Sequence, residues 1–368
     1  MSDKIMVAMS GGVDSSVAVS LLKEQGFDCY GVMMQMFDSS LPEFQGCSAL
    51  GSVQDAKDVA ERLAIPFELI DGTDVFRSCV IDAFVHTYEL GGTPNPCVDC
   101  NRTVKFGRLL QIAEERGMTG IATGHYARVQ LNETTGRYEL LRALDRAKDQ
   151  SYMLYSLSQK QLSRCHFPLG SMTKAEARAK AEELGLCNAD KKDSQDICFI
   201  PDGDYGNFLE RYTGHGYEPG KFVTRDGKVL GEHKGIVHYT IGQRKGLGIS
   251  AEAPLYVTDI NPVDNTVTLS FGEGLFSNVV YVEDANWISV EKPEPAMRVQ
   301  AKIRYRHEAE PATVYPGGEN GFRVVFDRPQ RAVTKGQACV LYDGDVVVGG
   351  GTIVRGITEG EKPGSTEA

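Results

Sequence analysis

The sequence predicts an α/β protein: an N-terminal doubly wound parallel sheet, then a small mixed domain, then a C-terminal β-barrel. From residue 5 to about residue 200, short apolar runs of strand length alternate with segments whose apolar residues recur at helical spacing. This alternation is typical of parallel sheets that bind ligands at the carboxyl ends of their strands. After Pro201 the composition shifts, and from about residue 278 to residue 355 short alternating runs are separated by turn sequences, which predicts a small barrel or sandwich.

Each predicted element depends on its own apolar pattern. Continuous apolar runs predict buried strands at residues 5–8, 29–34, 67–70 and 120–123. Apolar residues at helical spacing predict helices that contain residues 17–22, 53–63, 76–84 and 109–112. Alternating runs predict barrel strands within residues 297–305, 323–326, 338–341 and 346–348. We expect domains at residues 1–200, 201–275 and 276–358, followed by a disordered polar tail at residues 359–368.

Composition and charge narrow the class of protein. No apolar run approaches the roughly 20 residues of a membrane span, and the N-terminus lacks a signal-peptide pattern, so we expect a cytoplasmic protein with no membrane partner. The net charge of −11 argues against a broadly basic nucleic-acid binder, although a local basic face is compatible with it. In a reducing compartment, the nine cysteines are expected to be thiols rather than a disulfide framework.

The segment Met9 to Ser16 reads MSGGVDSS and lies between the first predicted strand and helix. Its glycines let backbone N–H groups approach an anion, and the helix N-terminus adds partial positive charge. Asp14 would repel a phosphate unless a divalent cation bridges the two, so Asp14 is a candidate Mg²⁺ ligand. The segment is neither a Walker A loop nor a dinucleotide fingerprint. It resembles the PP-loop of ATP pyrophosphatases, which adenylate a substrate oxygen; the alternative is a glycine-rich turn that only caps a helix.

Three cysteines lie in two further informative stretches. Cys97 and Cys100, within the sequence TPNPCVDCN, have the Cys-x-x-Cys spacing of zinc sites and thiol redox centres. We expect a loop there that is not helical through Pro96; structural zinc and inert loop cysteines are the alternatives. Cys198 follows Lys191 and Lys192, and cationic neighbours lower the pKa of a thiol. Considered alone, Cys198 would more often be a small buried apolar residue.

The PP-loop and the two distant thiols together suggest a chemistry. An oxygen activated by adenylation needs a nucleophile that displaces it. A thiol that carries a terminal sulfur can do so, and a second thiol can then release the product by forming a disulfide.

Ordered motifs over essentially the whole chain resemble those of bacterial tRNA-specific 2-thiouridylases, which make 2-thiouridine at the wobble position of certain tRNAs. Besides the PP-loop and the TPNP segment with Cys100 and Asn101, the shared motifs are TGHY (123–126), KDQSY (148–152), KDS (192–194), ICFI (197–200), GQRKGLG (242–248) and Arg304-Tyr305. The resemblance implies ATP and Mg²⁺ as cofactors, and it assigns ATP binding to Ala8, Met9, Ser10, Gly11, Gly12, Val13, Asp14, Ser15, Met34 and Gly124.

The resemblance also implies roles for the thiols and for RNA contacts. Cys198 would carry a persulfide received from a cysteine desulfurase or a sulfur-relay protein, and Cys100 would close a transient disulfide with Cys198. The flipped-out target base would meet Asn95, Pro96 and Cys97. The anticodon arm of the tRNA would contact residues of the catalytic domain and of the C-terminal tRNA-binding barrel. In the catalytic domain these are His125, Lys148, Asp149 and Gln150, and in the barrel they are Arg304, Tyr305 and Gln337.

One departure from the family pattern leaves the proton-transfer role unassigned. Some members have an aspartate, interpreted as the acid/base, where this chain has Cys97, and Asp99 lies two residues further on. Cys97, Cys100 and Cys198 are also enough to hold an iron–sulfur cluster with one open iron, so cluster-dependent thiolation is an alternative. Another PP-loop adenylating or amidating enzyme and a non-enzymatic RNA-binding protein are further alternatives.

Two basic patterns are candidate RNA contacts. Arg298, Lys302, Arg304 and Arg306 are all even-numbered and are expected to share one face of a strand. Solvated charges on the barrel surface are the alternative. The segment 242–248 is either a second basic RNA contact or a glycine-rich loop between domains.

Overall fold

The computed structural model describes residues 3–38, 40, 41, 44, 49–191, 197–318 and 320–357. The strands are β1 (Lys4–Ala8), β2 (Asp28–Gln35), β3 (Phe67–Asp71), β4 (Gly120–Thr123), β5 (Ala127–Asn132), β6 (Arg137–Arg142), β7 (Cys165–His166), β8 (Gly220–Val223), β9 (Val229–His233), β10 (Tyr256–Asn261), β11 (Thr266–Ser270), β12 (Phe276–Trp287), β13 (Met297–Lys302), β14 (Glu310–Gly317), β15 (Gly321–Arg331), β16 (Ala338–Asp343) and β17 (Val346–Ile357). The α-helices are α1 (Val13–Glu24), α2 (Ala49–Arg62), α3 (Thr73–Phe76), α4 (Asp82–Glu89), α5 (Pro96–Asp99), α6 (Leu109–Glu115), α7 (Gln159–Leu162), α8 (Lys174–Glu183) and α9 (Tyr205–Thr213).

A five-stranded parallel sheet organises the N-terminal part, in the order β3-β2-β1-β4-β7. The central strand β1 is apolar and its residues Ile5, Met6 and Val7 are fully buried, as expected for a strand with helices on both faces. The predicted α/β class and the four predicted strands are confirmed. The two-residue strand β7 was not predicted, because so short a segment shows no periodicity.

Two long helical stretches each contain a π-helical segment. The first consists of α3, the π segment Arg77–Ile81 and α4; the second consists of α5, the π segment Cys100–Arg108 and α6. The two stretches pack against each other. The prediction of a loop through Pro96 is wrong: Pro96 is the first residue of α5, where a missing N–H costs nothing and the fixed φ suits a helix.

The C-terminal part is a closed barrel. Its six strands run in the order β12-β15-β14-β13-β16-β17, and β12 also pairs with β17. Closure leaves no unpaired strand edge within the barrel. Alternate residues, among them Val280, Val324 and Leu341, fill its interior, which confirms the predicted barrel.

The β5–β6 hairpin, which precedes β7 in sequence, extends this barrel rather than the parallel sheet. Leu141 of β6 pairs with Val346 of β17, and Arg128 of β5 binds Asp345 at 2.8 Å. One apolar cluster therefore joins Met6 of the parallel sheet to barrel residues such as Val340. The sequence reading missed this hairpin.

The central part is a mixed four-stranded sheet in the order β10-β11-β8-β9, with α9 beside it. Phe208 of α9 and Phe222 of β8 share one apolar cluster with Phe84 of α4 and Phe199. The predicted small mixed domain is confirmed, and its core is continuous with that of the N-terminal part. The domain boundaries remain predictions.

Some expectations fall outside the described residues, namely those on Lys192, Asp193, Ser194 and the tail at residues 359–368. Within the described part of the chain, no helix is long and apolar enough to cross a lipid bilayer.

Truncation of Phe208 tests the shared core. The Phe208 ring lies 5.2 Å from Phe199 and 6.2 Å from Phe84 and is fully buried. Phe208→Ala should lower the free energy of unfolding by about 3–5 kcal/mol, measured by urea denaturation. Phe271→Ala, at a side chain that is 54% exposed, should cost about 0.5 kcal/mol or less. Equal losses in the two variants would contradict the shared core.

Candidate active site

The turn between β1 and α1 is shaped to receive an anion. Gly11 has φ +69°, and a Cβ there would clash with the carbonyl oxygen of Ser52. Gly12 precedes α1 and has no side chain with which to cap it, so first-turn N–H groups remain available to a ligand. Both features need glycine, and both place backbone rather than side chains at the site.

The hydroxyl groups of the turn stabilise its shape. The Ser15 hydroxyl accepts a hydrogen bond from the backbone N–H of Ser10 at 3.1 Å and donates to the Gly12 carbonyl at 3.1 Å. Ser16 donates to the same carbonyl at 3.0 Å. Ser15 and Ser16 are buried, so their hydroxyls pre-organise the turn.

Asp14 forms a short network with two residues that the sequence reading missed. Lys174, the first residue of α8, donates to both carboxylate oxygens of Asp14 at 2.8 Å, and the Tyr126 hydroxyl donates to Oδ1 at 2.8 Å. Lys174 is 9% exposed. The charge opposite Asp14 is therefore a lysine, and among the described residues no group of three or more His, Cys, Asp or Glu side chains could hold a metal. The role of Asp14 as a Mg²⁺ ligand stays a prediction.

Two further side chains that were not predicted from the sequence contact the same turn. Asn188, 3% exposed, donates to the Gly11 carbonyl at 3.2 Å and to Ser16 Oγ at 2.9 Å. Lys191 donates to the Gly11 carbonyl at 3.2 Å and pairs with Asp55 at 2.6 Å. These side chains are more than 170 positions from the turn, and no local motif marks them.

Two further residues implied to bind ATP lie at the same edge of the sheet. Gly124 follows β4, and a Cβ there would be 2.6 Å from the backbone N of Ser15, so only glycine fits. Met34, near the end of β2, is half-buried and packs on Gly72. Met9 and Val13 have buried side chains, so only their backbones can face a ligand.

The Cys-x-x-Cys pair begins a helix, with one thiol exposed and the other buried. Cys97 is exposed, whereas Cys100 is 9% exposed and packs in the apolar cluster that contains Phe199 and Ile200. Burial raises the pKa of the Cys100 thiol, although Lys105 acts in the opposite direction. Cys198 is exposed, so the interpretation as a small buried residue is wrong. The residues next to Cys198 and the helix of Cys100 thus share one core.

Asp99 lies on the same helical turn, between the two thiols. Burial raises the pKa of Asp99 to about 6, and Arg102, at 3.2 Å, limits that rise. A carboxyl group with such a pKa can exchange a proton near neutral pH. Asp99 is therefore a candidate for the unassigned proton-transfer role.

The barrel positions the segment that precedes this helix. Gln337 donates to the carbonyls of Thr93 and Pro94 at 2.9 and 3.1 Å, and the N–H of Thr93 donates to the carbonyl of Lys335 at 2.8 Å. Asn95 Nδ2 lies 3.4 Å from Met153 Sδ. The amide of Gln337, expected to contact tRNA, thus holds the thiol segment in place.

Several side chains expected to contact tRNA are used inside the protein. His125 lies 2.6 Å from Thr123 Oγ1, and burial lowers its pKa well below the usual range, so its ring is neutral. Gln150 Oε1 accepts the N–H of Tyr126 at 2.9 Å. Asp149 is buried and accepts three hydrogen bonds within the loop 143–151. Asp149 is therefore not a solvated surface carboxylate, and an RNA contact of this loop stays a prediction.

Arg304 and Tyr305 follow β13 in a turn. Arg304 donates to the carbonyls of Arg331 and Ala332, and Lys302 lies 5.6 Å from the ring centre of Tyr305.

The shared strand face predicted for the even-numbered cations is wrong. β13 ends at Lys302, so Arg304 and Arg306 lie beyond the strand. Arg298 instead forms two hydrogen bonds with Asp327, at 2.7 and 2.8 Å.

The ligand set for an iron–sulfur cluster is not gathered in this conformation. Cys97, Cys100 and Cys198 do not form a metal-holding group among the described residues.

Family comparisons agree with this geometry. The model described as tRNA methyl transferase HUP domain matches residues 3–202, the PRC-barrel model matches residues 206–270, and the aminomethyltransferase beta-barrel model matches residues 277–353. A tRNA-specific 2-thiouridylase MnmA of Clostridioides difficile is 46% identical over 97% of this chain and 99% of its own length. The chain belongs to the tRNA-specific 2-thiouridylase family. Another 2-thiouridylase, from Acetivibrio thermocellus, is 48% identical over 95% of this chain and 99% of its own length.

Among solved structures, a 4-thiouridine synthetase–RNA complex with bound ATP matches this 2-thiouridylase family member only weakly. The TM-score is 0.35 and the identity 18%, over 54% of this chain and 45% of the other.

Gly124→Ala tests the nucleotide site of this family member. The new Cβ would displace the backbone of Ser15, so we expect ATP to bind about tenfold more weakly or worse, which isothermal titration can measure. Gly216→Ala is the matched control, because nothing lies within 4 Å of its Cβ position. Unchanged ATP binding by the Gly124 variant would argue against a nucleotide at this edge.

Proposed function

We propose that this protein thiolates C2 of the wobble uridine of tRNA, using ATP to activate the uridine oxygen and a persulfide on Cys198 as the sulfur source. The proposal depends on one observation. The chain runs from the phosphate-binding turn, which Lys191 contacts, to Cys198 and then into the cluster that holds Cys100. Membership of the 2-thiouridylase family supports the same reaction.

The first step activates the base. The turn at residues 10–15 binds the phosphates of ATP through backbone N–H groups at the N-terminus of α1. The uridine O2 attacks the α-phosphorus, the O2–P bond forms, and the bond to the β-phosphate oxygen breaks to release pyrophosphate. Lys174 and Tyr126 hold Asp14 beside this turn, which limits the repulsion between its carboxylate and the phosphates.

The second step transfers sulfur. The terminal sulfur of the Cys198 persulfide attacks C2, and AMP leaves with the O2 atom. The Cys100 thiolate then attacks Sγ of Cys198, and the electrons of the broken S–S bond pass to the sulfur on the base. The products are 2-thiouridine and a Cys100–Cys198 disulfide, which a dithiol reductant must reduce before the next turnover.

Exposure favours this division of roles between the thiols. Cys198 is exposed and accessible to a sulfur-donor protein, such as a cysteine desulfurase or a sulfur-relay protein. Cys100 is buried and has a raised pKa, so it is protonated in this conformation and its deprotonation accompanies the disulfide step. Asp99, whose charge acts on Cys100, is placed to take a proton.

Two rival interpretations differ in what they require. A cluster-dependent thiolation would need iron and sulfide bound at Cys97, Cys100 and Cys198, which anaerobic purification followed by iron and sulfide assays would detect. Another PP-loop ligase would form an adenylate on a small substrate without tRNA. The relatives are named for tRNA, which favours tRNA over a small molecule as the substrate.

Serine substitutions test the thiols. Cys100→Ser and Cys198→Ser should each abolish 2-thiouridine formation, measured by mass spectrometry of tRNA incubated with ATP, a cysteine desulfurase and cysteine. Cys187→Ser, at another exposed cysteine, should keep nearly full activity. Full activity in either of the first two variants would refute the role of that thiol.

The pH dependence tests Asp99. Because its pKa is about 6, thiolation should increase with pH through that region as the carboxylate forms. Asp99→Asn should remove this rise, and Arg102→Ala should move it to higher pH, because Arg102 lowers the pKa of Asp99. A wild-type profile retained by both variants would exclude Asp99 as the titrating group.

A further inference from the structure

A group of cations extends from the C-terminal barrel towards the central domain. Lys302, Arg304 and Arg331 lie close enough together that all three act on His307, lowering its pKa beyond the effect of burial. Such crowding of like charges is unfavourable in the free protein. A polyanionic ligand would relieve it.

These cations are held by rings and carbonyls, not by carboxylates. Arg331 lies 5.2 Å from the ring centre of Tyr256. Lys302 lies 5.6 Å from the ring centres of both Tyr152 and Tyr305. Within the part of the chain that the structure describes, none of the three cations at positions 302, 304 and 331 forms an ion pair. Lys302 and Arg304 are partly buried, and the carboxylates of Asp149 and Glu308 act on Lys302. Arg331 is exposed, so its positive charge remains available to a ligand.

The segment 242–248 continues this surface into the central domain. Gly242 lies against Ala332, because a Cβ at Gly242 would be 3.0 Å from the Ala332 Cβ. Arg304 donates to the carbonyl of that same Ala332. The N–H of Gly242 donates to the Val257 carbonyl, and the Val257 N–H donates to the Gln243 carbonyl. Tyr256 precedes Val257, and its ring contacts the guanidinium group of Arg331. The segment is therefore joined to the barrel cations in two ways, through Ala332 and through the strand of Tyr256.

The segment presents two exposed cations on a fixed backbone. Arg244 and Lys245 are exposed, whereas Leu247 is buried and anchors the loop. The Gln243 side chain accepts the Thr240 N–H at 3.0 Å and donates to the Lys245 carbonyl at 3.0 Å. Within the described residues, neither Arg244 nor Lys245 forms an ion pair. In a chain of net charge −11, this is a local concentration of cations rather than a general basic surface.

We infer that Arg244 and Lys245, together with Arg331, bind the sugar–phosphate backbone of tRNA, so the substrate is held by the central domain as well as by the barrel. The inference rests on the proposed function, because it deepens the account of the same substrate. RNA is favoured over an acidic protein because the proposed substrate is tRNA and the two cations of the segment extend the group formed by Lys302, Arg304 and Arg331. Phosphate contacts position a nucleic acid and carry no base specificity.

The double variant Arg244→Ala/Lys245→Ala tests this surface in the full-length protein. Loss of two phosphate contacts should reduce the slope of log K against log salt concentration for tRNA binding by about 1.8. Affinity at low salt should fall by about tenfold. The KM for tRNA should rise, while the KM for ATP should stay unchanged, because the segment does not line the phosphate-binding turn.

The matched control is Arg225→Ala/Lys228→Ala, two exposed cations between β8 and β9 of the same domain. It should bind tRNA with wild-type affinity and salt dependence. Equal affinity and slope in the test and control variants would overturn the inference. So would unchanged tRNA binding with slower sulfur delivery from the donor protein, which would indicate an acidic protein at this surface.

The two proposals fail in different ways. If the wild-type protein forms no 2-thiouridine but binds tRNA with a salt slope that the double variant reduces, the proposed reaction is wrong and the surface stands. If the double variant thiolates and binds as the wild type does, the surface is wrong and the reaction stands.

Discussion

The packing of the barrel against the helical stretch that contains Cys97 and Cys100 is the constraint on which the rest of the site depends. Val98 and Phe106 of that helix share an apolar cluster with Val340 of the barrel, and the Gln337 amide holds two carbonyls of the preceding segment. Polar groups in a buried contact position a segment far better than apolar packing alone, since a lost hydrogen bond there leaves an unsatisfied group. The C-terminal barrel thus sets the position of the helical stretch that contains Cys97 and Cys100.

Two lysines that are distant in sequence contact the turn between β1 and α1, where the nucleotide is expected to bind. Lys174 lies against Asp14, and Lys191 reaches the carbonyl of Gly11. Both come from the region between β7 and Cys198, so the segment that leads to the exposed thiol is tied to the turn that receives phosphates. The described contacts therefore tie the chain to this turn as far as Lys191.

Much of the fold could be predicted from local sequence patterns, but contacts between residues far apart in the chain could not. The strands of the parallel sheet and the glycine-rich turn were predictable because apolar runs and glycines act over a few residues. The partner of Asp14 could not be inferred, since Lys174 is 160 positions away and no periodicity links the two. The loop expected at Pro96 failed because proline suits the first turn of a helix as well as a loop. The burial of Asp149 depends on the fold of its whole loop, which composition does not reveal.

The unequal exposure of the cysteine side chains affects which of them is oxidised first in the cell. Peroxide and alkylating agents in solution meet Cys97, Cys187 and Cys198 first, because all three are at the surface, whereas Cys100 is shielded by aromatic and aliphatic neighbours. Oxidation therefore begins at the exposed cysteines, which include Cys198. Burial protects Cys100, so a reversible oxidation product at a surface cysteine can be reduced without unfolding of the protein.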